Sequence, residues 1–429
     1  MGQAADTIVH ARTDAAKTRP PAAPDAALAE RAAVTLSAHD NLASLEQVWR
    51  RFQETADCTP FQTFDWLSAW QRHIGAPRGA TPAIVIGRRG EEILFLLPLA
   101  VERGAFTRRL TFLGQDLCDY NAPLLARDFA RNCGSACADI WAEIRALLQA
   151  TPALRHDTIA LGKMPAKIGT QPNPMLTLDV QLNPSNAYET DLGGDWEKFY
   201  AAKRSSSTRR RDRTKLKKLG DLGEVRFVNP DDGDLHKTLD TLVQQKAKSF
   251  ARMGVGNLFA KPGHAAFYQE LATAPQLRGF VHVSRLDVGG TFAAVNLGLT
   301  FRDCYYHILA SYEDGEVSRF GPGAAHLREL LRFAIERGLK RFDFTIGDEP
   351  YKRDWCDAEQ LLYDYSASAT LRGLPMTALA LGKRSAKRMI KHSAPLWALV
   401  VRARTIVAAW RKKPGAAPSI VPAADPEER

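Results

Sequence analysis

Two halves of the chain carry different hydrophobic spacings. In the first, short apolar ribbons recur at TPAIVIG (81 to 87), EILFLLPLAV (92 to 101) and RLTFLG (109 to 114), and their Ile, Val, Leu and Phe content predicts strands. CADIWAEIRALLQA follows with apolar positions at helical intervals, then another strand near DTIALG. MLTLDVQL, around residue 182, reads as the strand that closes a mixed α/β lobe spanning 34 to 185. The second half opens with DWEKFYAAK and a base-rich helix, then the strand EVRFV. Asp231, Asp232 and Asp234 start a helix that ends at Gly254.

Three strands come next, GFVHVSRL, TFAAVNLGLTF and CYYHILASY, joined by turns as short as DVGG, which predicts antiparallel pairing. In GPGAAHLRELLRFAIERG, Leu327, Leu330, Leu331, Ala334 and Ile335 share one helical face, and Gly338 stops the helix. His326 falls off that face, where it reads as an exposed or satisfied histidine. RFDFTI, a helix turn and QLLYDYSASAT complete a second lobe over 186 to 375. A basic amphipathic helical tail at 376 to 413 follows. Residues 1 to 33 and 414 to 429, rich in Ala, Pro and Asp, read as a disordered leader and tail.

Composition narrows the class. At 429 residues the chain exceeds one ordinary core, and its 45% hydrophobic and 25% charged residues are those of a globular protein. No apolar run reaches the ~18 to 20 residues of a membrane-crossing helix, and no secretory signal opens the chain, so a cytoplasmic location is expected. Six cysteines in so long a chain predict reduced thiols and no zinc site. The net charge of +10 comes from two blocks, 203 to 218 with nine bases and one acid, and 383 to 413 with ten bases and no acid. The first block has no interleaved aromatics, so base stacking on nucleic acid is not expected there. A solvated helix, a nucleic-acid contact and a dock for anionic glycan or lipid stay open. In the second block Trp397, Leu399, Val400, Ile406, Val407 and Trp410 accompany the bases, which suits the surface of an anionic membrane.

Candidate chemistry gathers in the second lobe. The loop EVSRFGPG places two glycines around Pro322 at a helix start, where free N–H groups and the helix dipole favour an anion such as pyrophosphate. One helix later, Asp343 alternates with Phe342 and Phe344, which puts a carboxylate inside the sheet, where it needs donors or a task. Gly347 then ends the ribbon, and Asp348, Glu349, Tyr351, Lys352 and Arg353 crowd around Pro350.

SRFGPGAAHLRELLRFAIERGLKRFDFTIGDEPYKRDW resembles the carboxyl half of the Fem-related branch of the GNAT acyltransferases, the CelD-like group linked to cellulose and exopolysaccharide biosynthesis. FQTFDWLSAW (61 to 70) and CDYNAPLL (118 to 125) are similar to that group's amino half, so the likeness spans about residues 40 to 370. The resemblance implies two tandem GNAT-like lobes with mixed, largely antiparallel sheets flanked by helices, acetyl-CoA or another acyl-CoA as co-substrate, and no metal. It implies that Arg319, Phe320, Gly321, Pro322 and Gly323 receive the coenzyme A pyrophosphate. Asp343 or Asp348 is then expected as the base, a backbone N–H near Leu297 to Leu299 as the oxyanion donor, and Tyr351 as the acid that protonates sulfur. Lys352 and Arg353 are expected on donor phosphate or an anionic acceptor, with Asp119, Tyr120 and Glu349 lining the acceptor cleft. A sugar-containing or amine acceptor in envelope or exopolysaccharide biosynthesis follows from the same likeness. Its rivals are aminoacyl-tRNA-dependent transfer and a catalytically idle subunit of a polysaccharide synthase.

Overall fold

The computed structural model describes residues 9–11, 34–133 and 136–392. The first lobe contains strands β1 (Thr35–His39), β2 (Thr81–Arg89), β3 (Glu92–Arg103), β4 (Arg108–Phe112) and β5 (Thr158–Pro165) and helices α1 (Glu46–Thr55), α2 (Phe64–Trp70) and α3 (Cys137–Ala150). β2 and β3 are near-continuous apolar runs because both faces of their sheet are covered. Ile84, Ile86 and Leu96 pack into the core shared with the second lobe, whereas Ala83, Val85 and Leu97 pack with Ile140, Trp141 and Ile144 of α3.

The second lobe runs through β6 (Ala187–Asp191), α4 (Trp196–Lys203), α5 (Ser206–Asp221), β7 (Val225–Val228), α6 (Asp232–Met253) and α7 (His264–Thr273). It continues with β8 (Val281–Val288), β9 (Thr291–Phe301), β10 (Cys304–Tyr312), α8 (Pro322–Glu336), β11 (Arg341–Ile346), α9 (Pro350–Arg353), β12 (Ala358–Gln360), β13 (Leu362–Ser368) and α10 (Leu374–His392). Its sheet order is β7-β8-β9-β10-β11-β6-β12, antiparallel except for the β10–β11 pair. α6 and α8 cover opposite faces: Ser284 of β8 bonds His326 of α8, while the next residue, Arg285, bonds Thr238 of α6. α6 is capped by Asp231, whose side chain accepts the Gly233 and Asp234 N–H groups, and ends on left-handed Gly254.

Three expectations change here. β13 leaves the second lobe and pairs with β5 of the first, so the boundary at 375 does not separate two closed sheets. MLTLDVQL forms a single turn at Pro174–Thr177, and only residues 181–182 pair, against β13. Within the expected leader, residues 9–11 pair with 36–38 at the edge of the first sheet. The rest of 1–33, and the tail beyond 392, lie outside the described residues.

The lobes meet through an aromatic core. Trp66 of α2 packs edge-on to Phe267 of α7 at 5.0 Å between centroids, and Phe61 meets Tyr306 of β10 at 6.2 Å. The lobes thus share a strand and bury Trp66 at their seam.

Candidate active site

The ladder between parallel β10 and β11 has only three rungs, Cys304–Arg341, Tyr305–Phe342 and Tyr306–Asp343. It stops there for two reasons. β10 carries an extra residue: Leu297 of β9 faces Leu309 and Gly298 faces His307, which leaves Ile308 as a bulge. β11 kinks at Thr345, whose φ of 57° is left-handed and costs a β-branched residue on the order of 1–3 kcal/mol. The kink is tied on both sides. The Asp343 carboxylate accepts the Thr345 N–H at 2.7 Å, and the Thr345 hydroxyl donates to the His307 carbonyl at 3.3 Å.

Asp343 itself is 4% exposed. The Tyr120 hydroxyl, reaching across from the first lobe, lies 2.7 and 2.9 Å from its two oxygens. Burial pushes the Asp343 carboxyl up to about 7, against the pull of the Tyr120 and Thr345 bonds. Burial and Asp343 together push the Tyr120 phenol well above its ordinary value. The neighbouring Asp119 is only half-buried. Burial raises its carboxyl too, opposed by Lys163, the Thr345 hydroxyl and Lys352. Lys163 fixes the loop that carries both residues by donating to the carbonyls of Gln115 (3.1 Å) and Cys118 (2.7 Å).

The cluster after β11 is organised differently from expectation. Lys352 is buried, and its ammonium donates to the carbonyls of Thr345 (3.2 Å) and Ile346 (3.1 Å) and pairs with Glu349 at 3.0 Å. Three acceptors use three N–H groups, so none is left for a phosphate: Lys352 locks the end of the kinked strand. Glu349 is held in the same pair, and Gly347 leaves room for it, since a Cβ there would lie 2.4 Å from a Glu349 carboxylate oxygen. Asp348 accepts the Asn186 N–H at 3.3 Å. Arg353 is exposed and bonds the Tyr188 phenol of β6. Tyr351 is 39% exposed and edges against Phe344 at 6.3 Å; desolvation, then Glu349, raises the phenol.

Leu297 and Leu299 are fully buried and paired on both sides, with β8 and with β10, so the expected oxyanion donor is misplaced by one strand. The divergence lies between β10 and β11, at the Ile308 bulge. The sequence gives no sign of it, because a bulge depends on the partner strand's register.

At the donor turn, Val317–Phe320 makes one tight turn and Gly321 (φ 66°) leads into Pro322 at the first helical position of α8. The Gly321 N–H bonds the Ser318 carbonyl, and the Gly321 carbonyl accepts from Ala324 and Ala325. Gly323 retains a first-turn N–H of the kind a helix start leaves unpaired. A Cβ on Gly321 would approach nothing closer than the Lys215 ammonium at 3.9 Å and Ala324 at 4.0 Å, whereas one on Gly323 would meet the Tyr312 ring at 3.4 Å, so the turn is open on its Gly321 side and bordered by Tyr312 on the other. Lys215 belongs to α5, as does Lys218, whose ammonium lies 5.8 Å from the Phe320 ring centroid. Arg319 is exposed beside them. The basic helix therefore flanks the turn, an adjacency that sequence separation conceals. The lone acid of that block, Asp212, faces inward to Tyr200, Arg204 and Arg328 and anchors it.

His326 is buried against Ser284 rather than turned off the apolar face. His307 is buried with it and His282, bonded to Tyr305 and Asn229, is half-buried; desolvation lowers all three to about 3. A cleft of about 390 Å³ opens elsewhere along the seam, lined by Arg50, Asp65, Gln71, Arg72 and Glu270, and includes neither Asp343 nor the Gly321 turn. Among the described residues no cluster of His, Cys, Asp and Glu could hold a metal.

Two α/β lobes, a bulged and divergent parallel strand pair and a glycine-flanked helix start define an acyltransferase architecture of the GNAT type. Residues 206–353, from α5 to α9, match the family described as Acetyltransferase (GNAT) domain, and that stretch is an acyltransferase domain. The crystal structure of FemX aligns with a TM-score of 0.53 at 11% identity, over 78% of this chain and 98% of that one, and shares the fold. The structure of L-PGS from Bacillus licheniformis gives 0.42 at 13% identity, over 70% and 87%. A tandem GNAT protein from the clavulanic acid biosynthesis pathway gives 0.39 at 13% identity, over 77% and 95%. No curated protein sequence matches the chain.

Proposed function

We propose that the protein transfers an acyl group from acyl-coenzyme A to an amine or hydroxyl of a sugar-containing acceptor, in envelope or exopolysaccharide biosynthesis of the CelD-like kind. The observation that carries the reading is the cation-flanked turn at Gly321, set one helix before a divergent strand end where the raised carboxyl of Asp343 is met by that of Asp119 from the first lobe. The open space at Gly321, with Lys215 beside it, suits the donor pyrophosphate. The diverging strands leave the bulge at Ile308 as the place for a backbone donor to the acyl oxygen.

Of the two carboxylates, Asp119 is the one with access to an acceptor. Asp343 is sealed under Tyr120, so it acts by holding that phenol and the Thr345 kink. In the proposed reaction Asp119 takes the proton of the acceptor N–H or O–H as its lone pair attacks the acyl carbon. The carbon–sulfur bond then breaks, and Tyr351 returns a proton to the leaving sulfur.

A second reading, aminoacyl-tRNA as donor, is favoured by α5, where Arg210, Arg211, Arg213, Lys215, Lys217 and Lys218 are exposed without an ion-pair partner among the described residues. Thiol release from a panel of acyl-coenzyme A donors, with and without amino-sugar acceptors, tests the first reading. Turnover with one pair supports it; silence with every donor, combined with no thermal protection by coenzyme A, overturns it. Co-purified tRNA that is lost at high salt would establish the second.

A further inference from the structure

Of the thirteen large hydrophobic side chains exposed among the described residues, five fall between 371 and 389. Leu371 is 85% exposed, Leu374 54% and Met389 62%, and Met376 and Leu379 are also bare. Four of the five lie on α10, which rests on β13 and β5 of the first lobe. Among its described side chains, Thr377, bonded to Ser368, and Leu381 turn partly inward. The rest of the helix has two other sides. Helical spacing puts Leu374, Ala378, Leu379, Gly382, Ala386 and Met389 along one of them, and each is exposed. The sequence sets bases at 383, 384, 387, 388 and 391 in the same stretch, and Lys383 is exposed. No acid occurs from 383 to 413, where ten bases are found. Among the described residues no helix is long and apolar enough to cross a membrane.

We infer that α10 is a membrane-surface helix that docks the protein on an anionic lipid bilayer, its apolar side in the acyl–headgroup boundary and its bases among the headgroups. Each part of the pattern has a physical role. An apolar side of Leu and Met with small residues between them sinks shallowly, and Lys and Arg beside it draw the helix to negative lipid. A second copy of this chain is a poor occupant, because a symmetric pair through this face would bring together two segments rich in bases and free of acids. The inference does not depend on the proposed acyl transfer, since α10 lies outside the acyltransferase domain at 206–353.

Co-sedimentation of the full chain with vesicles of equal parts phosphatidylglycerol and phosphatidylcholine, against phosphatidylcholine alone, tests it. Binding to the anionic vesicles that weakens with salt is expected. The triple change Leu374→Ser, Leu379→Ser and Met389→Ser should weaken it roughly tenfold or more, since three apolar side chains lose their burial. Lys383→Glu should weaken it about fivefold. All four positions are exposed, so unchanged thermal melts are expected and check the fold. No binding, binding equal on both vesicles, or binding that survives the triple change overturns the inference. So does a concentration-dependent dimer that the triple change abolishes.

Discussion

Tyr120 and Asp343 belong to different lobes, yet the Tyr120 hydroxyl lies within 2.9 Å of both Asp343 oxygens. The first lobe thus reaches into the second and sets the state of its buried carboxyl. Tyr120→Phe removes one of the two groups that favour the charged form and leaves a buried acceptor unmet. We expect a loss of about 1–3 kcal/mol in urea denaturation.

The pH dependence of Asp343 has a definite sign. Its folded value of about 7 exceeds the ordinary 3.8, so the folded state binds the proton more tightly. Its contribution is complete below about pH 4 and is lost as pH rises to 7, roughly 4 kcal/mol in all. Asp343→Asn removes this slope. The stability of the variant relative to the parent should therefore rise between pH 5 and 8; parallel denaturation curves at both pH values would discard the raised carboxyl.

How much of this could be read beforehand varies by element. The three antiparallel strands, α6 with its Asp231 cap, and α8 between Gly321 and Gly338 were plain, because local spacing and capping chemistry fix them. So was a carboxylate inside the sheet at 343. What stayed hidden depends on partners distant in the chain. Tyr120 lies 223 residues from Asp343, β13 is exchanged into the first sheet, and the bulge at Ile308 exists only relative to β9. Lys352 misled for a related reason: a lysine after a tyrosine at a strand end looks like an anion binder until the kinked carbonyls it satisfies are seen. The lone Asp212 among nine bases was a usable sign that one side of α5 faces inward.

Three histidines held neutral by the fold dominate the acid limb. Kept neutral in the fold near a value of 3, His282, His307 and His326 are protonated in the unfolded chain below about 6.5. Their stabilisation is whole above 6.5 and falls by about 1.4 kcal/mol per pH unit for each as pH drops toward 3. Between pH 6.5 and 5 three histidines outweigh the opposite slope of Asp343, so a net loss of about 4 kcal/mol is expected. Thermal melts across that range measure it, and His326→Gln should flatten the decline.

Lys352→Met separates a lock from a ligand. If the ammonium serves the Thr345 and Ile346 carbonyls and Glu349, its removal leaves buried acceptors unmet. Stability should then fall by about 2–4 kcal/mol. Calorimetry of coenzyme A binding, at a temperature where the variant stays folded, should show affinity within about twofold of the parent, a difference of only ~0.4 kcal/mol. A large loss of affinity with an unchanged melt would restore the phosphate role.

The donor turn makes the opposite prediction. Lys215 is exposed, and its ammonium would stand 3.9 Å from a Cβ on Gly321, close enough to face an anion held there. Lys215→Glu replaces attraction by repulsion without disturbing any packed atom. Coenzyme A should bind roughly fivefold to tenfold more weakly, the more so at low salt, while the melt stays within a degree or so. Gly321→Val acts through the backbone instead: at φ 66° a β-branched residue is strained, so it should cost on the order of 1–2 kcal/mol of stability as well as donor affinity. Equal coenzyme A binding by the Lys215→Glu variant and the parent at low salt would remove α5 from the donor site and leave Gly321 as an ordinary helix start.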